Sequence, residues 1–155
     1  MIHISRTFAV DKPPETVVAY LADFANATEW DPGTVRCTKV SAGPVQVGST
    51  WTNVSKVLGR QTELTYRLTR LEADRVTLVG TNKTATSTDD ITVRPSSNGS
   101  EITYDATIEF HGIANLATPF LKIEFERLGT ATEESMRAAI GRLADGGQRG
   151  AEQIR

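Results

Sequence analysis

The hydrophobic period of this chain changes once, and that change limits what it can fold into. Up to Phe110, apolar residues fall at alternate positions in short runs cut by turn residues. The stretch Glu101 to Phe110 is the clearest case. Ile102, Tyr104, Ala106, Ile108 and Phe110 share one face, and Thr103, Asp105, Thr107 and Glu109 the other. Beyond Thr118-Pro119 the spacing lengthens. Leu121, Phe125, Leu128, Met136, Ile140 and Leu143 make a stripe at a mean near the helical repeat. A series of half-buried strands therefore ends in one long amphipathic helix. Such a sheet has one apolar face to cover, and only the last helix is long enough to cover it.

The other elements fill in the order. Ile2, Ile4, Arg6, Phe8 and Val10 alternate, with Arg6 a blemish on an apolar face. Pro13-Pro14 then suits a helix start, because a first-turn proline lacks only an N–H that has no partner. The spacing predicts a helix over Pro14 to Ala22 and a further short turn over Asp23 to Thr28. Strands are expected over Val35–Val40, Thr50–Leu58, Gln61–Leu71, Arg75–Thr81, Ser87–Arg94 and Glu101–Phe110. The class is α+β: a curved antiparallel sheet of about six to seven strands around a long C-terminal helix, with two short helices after strand one. Gly129 and Gly141 inside that helix mark a kink or a close-packing point. Residues 1–147 read as one domain and 148–155 as a loose tail.

Composition narrows the partners. The net charge of −2 lacks the excess of Lys and Arg that nucleic-acid binding needs, so no nucleic acid is expected. No apolar run approaches the ~20 residues that span a bilayer, so stable membrane insertion is not expected. One cysteine, Cys37, permits no internal disulfide, and the opening residues form no signal-peptide core; a cytoplasmic setting follows. Cys37 itself reads as a small buried apolar residue. Two distant histidines, His3 and His111, make no metal site, and no nucleotide motif is present, so neither metal nor cofactor is expected.

Several segments, in this order, resemble the START-like (SRPBCC) superfamily and its polyketide cyclase/dehydrase-like bacterial branch. They are Phe8 to Val17, Leu21-Ala22-Asp23-Phe24 followed by Trp30-Asp31-Pro32, Val47 to Trp51, Gly99 to Tyr104, Phe110-His111-Gly112 and Pro119-Phe120-Leu121. The resemblance implies the helix-grip fold and a deep cavity for a lipid, polyketide or similar ligand. Some members of the superfamily are cyclases or dehydratases, and many only bind or carry.

The expected function is therefore binding or transport of a small hydrophobic ligand, by a monomer or homodimer. The alternative is a cyclase or dehydratase using acid–base groups in the same cavity. Candidate ligand contacts are Trp30, Trp51, Asn53, Tyr66, Leu68, Asp90, Tyr104, Ile108, Phe110, Phe120 and Phe125. The tyrosines, Trp51 and Asn53 carry polar atoms that need partners when buried. Of the pair Asp89-Asp90, alternation sends one carboxylate inward, where burial would raise its pKa and suit it to acid catalysis. Asp90 and Arg70 are the charged candidates for that alternative, beside Tyr66 and Tyr104. No residue is assigned a catalytic role.

Overall fold

The computed structural model describes residues 1–57, 59–112 and 119–144. Strand β1 (Ile2–Val10) leads through Pro13 into helix α1 (Pro14–Ala22). A 3-10 turn over Phe24–Asn26 and the one-turn helix α2 (Ala27–Trp30) follow. The Asp23 carboxylate caps the turn by accepting from the Ala25 N–H. Six strands then run in sequence: β2 (Thr34–Lys39), β3 (Thr50–Val57), β4 (Arg60–Glu72), β5 (Arg75–Thr81), β6 (Ala85–Ser96) and β7 (Gly99–Phe110). Helix α3 (Pro119–Gly141) closes the described chain. The expected tail, 148–155, and Thr118, where the hydrophobic period changes, lie outside the described residues.

The seven strands form one antiparallel sheet in the order β1-β7-β6-β5-β4-β3-β2. Strands β2 to β7 are a meander of neighbours, as tight turns dictate. Strand β1 joins the far edge, with Ile2 opposite Ile108 and Val10 opposite Ser100. The sheet curves around α3, which is the helix-grip arrangement expected above.

Two local features set which side chains face the helix. Pairing slips between Leu68 and Arg70, a bulge that places one extra residue in β4. Strict alternation would put Arg70 inward with Leu64, Tyr66 and Leu68. The bulge puts it opposite Thr77 instead, on the outer face. The second feature is Gly129 in α3. A Cβ there would stand 2.5 Å from Ile4 Cγ2, so the helix rests directly on β1. Gly129 is the close-packing point foreseen above. Arg6, on the inner face of β1, reaches up beside this contact. Its Nη2 donates to the Glu126 carbonyl at 2.9 Å, to the Glu126 carboxylate at 3.2 Å and to Thr130 Oγ1 at 3.2 Å. The blemish in the β1 pattern is thus a clamp on the helix.

The core lies toward one end of the sheet. Leu68, Val76, Leu78, Ile91, Val93 and Ile102 are fully buried under α1 and the C-terminal half of α3, with Met136 and Ile140 above them. Among the described residues, no helix is long and apolar enough to cross a membrane.

Candidate functional site

At the other end of the sheet the helix stands off and leaves a cavity of about 460 Å³. Its floor is the inner face of β4, β6 and β7, and its roof is the first half of α3, with Leu121, Phe125 and Leu128. The floor near the core is polar. Tyr66, Asp89 and Tyr104 are all buried there, at 5 to 8% exposure. Each arrives by strand parity: Tyr66 shares a face with Leu64 and Leu68, Asp89 with Ile91, and Tyr104 with Ile102 and Ala106. Tyr66 lies across from Gly80, where any Cβ would come within 2.5 Å of its ring. The missing side chain on β5 is the space the ring occupies.

Tyr104 donates from its hydroxyl to Asp89 Oδ1 at 3.0 Å. Among the described residues no other donor reaches that carboxyl group. Burial raises the Asp89 pKa to about 7; the nearby Asp31 charge adds to the rise, and the Tyr104 bond only partly offsets it. Asp31 sits in the turn after α2 and also lines the cavity. Its Oδ1 accepts from the Gly33 N–H at 3.0 Å and its Oδ2 from Thr34 Oγ1 at 2.8 Å. Burial nonetheless pushes its pKa upward. Both tyrosines are held well above the ordinary phenol range, first by burial and then by Asp89, so they remain neutral donors.

The structure divides the expected contacts. Tyr66, Tyr104, Ile108, Phe110 and Phe125 line the cavity. Trp30, Trp51 and Leu68 are fully buried but belong to the solid core. The two indoles pack around Phe24, with ring centroids 6.0 and 6.2 Å away, and their N–H groups find no partner. Asn53 faces inward but is occupied: it donates to Thr34 Oγ1 at 3.0 Å and accepts from Ser55 Oγ at 2.6 Å. Through Thr34 it positions Asp31. Phe120 is 65% exposed at the start of α3 and lies outside the lining.

The acidic pair needs a correction. Asp90 is the outward carboxylate. It pairs with Arg75 at 2.7 Å and accepts from Thr77 Oγ1 at 3.1 Å, which holds its pKa below the usual carboxylate range. Arg70 lies on that same outer face, near Asp90 and Glu72. Neither charge reaches the cavity. Asp89 is the inward member, and the face it shares with Ile91 was the signal. Asp31 was missed as well, because carboxylates in turns ordinarily cap backbone in solvent. Cys37 is half-buried, with its thiol pushed up to about 11, chiefly by burial, and is unreactive on that account. Among the described residues no cluster of His, Cys, Asp and Glu has the makings of a metal site.

Comparison with known proteins agrees with this geometry. The START superfamily protein from Mycobacterium smegmatis superimposes with a TM-score of 0.76 at 13% identity, covering 92% of this chain and 99% of that one. The Zhui aromatase/cyclase from a Streptomyces species gives 0.74 at 16% identity, covering 90% and 93%. A protein from Thermus thermophilus gives 0.65 at 14% identity, covering 89% and 97%. At these identities the likeness is one of fold. No curated protein matches in sequence. The family described as polyketide cyclase / dehydrase and lipid transport matches residues 1–146, and the chain belongs to that family.

Proposed function

We propose that the protein binds a small, largely apolar molecule in the cavity between the sheet and α3, and holds or carries it away from water. The observation that carries this reading is the cavity itself. Protein interiors are close-packed, and a void of about 460 Å³ is large enough for a small ligand. Its apolar walls give affinity through buried area, while Tyr66, Asp89 and Tyr104 supply a few polar groups that fix orientation.

Native mass spectrometry of gently purified protein tests this reading. The expected result is an adduct lost on denaturation. Ala106 lines the cavity, and Ala106→Trp is expected to remove the adduct while far-ultraviolet circular dichroism and cooperative unfolding stay native. A folded protein with no adduct that takes up no apolar probe refutes the reading.

One observation favours a second reading, that of a cyclase or dehydratase. An acid titrating near neutrality beside a neutral tyrosine, in an apolar cavity, suits general acid catalysis. Once a substrate is found, Asp89→Asn is expected to abolish turnover while leaving binding measurable. Unchanged turnover rejects this reading.

A further inference from the structure

Among the described residues two carboxyl groups line the cavity, and no cation bears on either of them. Asp31 enters from the turn after α2, and Asp89 from the middle of β6. The remaining ionisable groups are accounted for element by element. From β2, β4 and β7 come Cys37, Tyr66 and Tyr104, all neutral. From α3 the lining consists of Leu121, Phe125, Leu128, Gly129 and Thr132, none ionisable. From β1 comes Ile4; the neighbouring inward cation, Arg6, is engaged by Glu126 and Thr130. Arg60 also lines the cavity, on the strand across from the Asp31 turn, but no cation enters the balance of charges that sets the pKa of Asp31 or Asp89.

Buried charges in proteins are normally paired. Here the acids lie at one end of a space large enough for a guest, and the carboxyl of Asp89 has one protein donor where it can accept more. We infer that the ligand of this cavity is a cationic amine with an apolar body, whose ammonium group sits between Asp31 and Asp89 and whose body lies against Ile108, Phe110 and Phe125. The inference rests on the ligand-binding reading above and adds the chemical class of the guest. The ammonium group takes the place of the proton on Asp89. At neutral pH that carboxyl is close to half ionised, so giving up the proton costs only a factor of about two in affinity. The charge-assisted hydrogen bonds that replace it are stronger than those of a neutral donor.

A matched pair of probes tests this, 2-naphthylmethylamine and 2-naphthalenemethanol, which differ in charge but hardly in shape. Isothermal titration near pH 7.5 is expected to show the amine binding at least about tenfold more tightly. In Asp89→Asn, checked for folding by circular dichroism, the two affinities are expected to converge. The advantage of the amine is expected to grow from about pH 5.5 to 8, as Asp89 gives up its proton, with protons released into the buffer on binding. Equal affinities in the native protein overturn the inference and leave the ligand-binding reading standing. So does a preference for the amine that falls with rising pH, or one that survives in Asp89→Asn. Failure of both probes to bind removes the ligand-binding reading itself, and the inference with it.

Discussion

The inner face of the sheet has two ends, and they do opposite things. At one end Leu68, Leu78, Ile91 and Ile102 are covered by α1 and by Met136 and Ile140, with no exposed surface left. At the other, Ile108, Phe110 and Phe125 face one another across open space and are only partly buried. Along β7 the apolar alternation runs the whole length, but the inward face of β6 changes from Ile91 and Val93 at the packed end to Asp89, Ser87 and Ala85 at the cavity. The element opposite differs as well. The second half of α3 and the short helices after β1 fill one end, while the first half of α3 meets only the sheet. A core and a pocket are thus distinguished by what lies across from a residue and, on β6, by the small and polar side chains that face the cavity.

Two isoleucines on this face sharpen the contrast. Ile91→Ala is expected to cost about 2–5 kcal/mol in urea unfolding, as a deletion inside a packed core does. Ile108→Ala, at the cavity wall, is expected to cost less than half as much, because the space beside it is already open. Equal costs would show that both ends are packed alike.

The next effect depends on pH. The Asp89 carboxyl titrates at about 7 in the folded protein, against 3.8 ordinarily. The folded state therefore holds a proton between about pH 4 and 7 that the unfolded chain has released. Stability falls as pH rises through that window and levels off above it. Asp89→Asn is expected to stabilise the protein at pH 8 by a few kcal/mol and to flatten most of the slope between pH 5 and 8. Asp31, also raised by burial, supplies a slope of the same sign. A wild-type stability independent of pH over this range would contradict the burial of Asp89.

Gly129→Ala tests the boundary between the two ends. Its methyl group would meet Ile4, so overpacking of about 1–3 kcal/mol opposes a helix-propensity gain of about 1 kcal/mol. A net loss of stability is expected, and in an Ile4→Ala background, which lacks the Cγ2 that the methyl meets, that loss is expected to shrink. No loss would mean that the helix does not rest on β1. The smallest effect is expected from Asp90→Asn on the outer face. It breaks an exposed pair with Arg75 and is expected to leave probe binding unchanged.

The fold was readable because period and turn chemistry repeat over many residues. The run Glu101 to Phe110 and the stripe from Leu121 to Leu143 each state their face several times over. The site was readable only where it inherits that parity, as Tyr66, Tyr104, Ile108 and Phe110 do. Parity also assigns Asp89 to the face of Ile91, yet Asp90 was favoured, because an aspartate pair reads first as a solvated turn. Trp30 and Trp51 look like pocket residues by their type, but Phe24 packs both into the core, a contact with no local signature. Arg70 faces outward because of one extra residue at a bulge, and a single bulge leaves no periodic trace.

Strand β1 completes the sheet beside β7, pairing residues about a hundred positions apart. The wall on which α3 rests is therefore synthesised well before its partner strand. Closing so long a loop is slow, and its entropic cost must be met before the contacts form. A nascent polypeptide halted anywhere before β7 lacks the strand that joins both edges of the enclosure, so the cavity forms only after β7 and α3 have emerged.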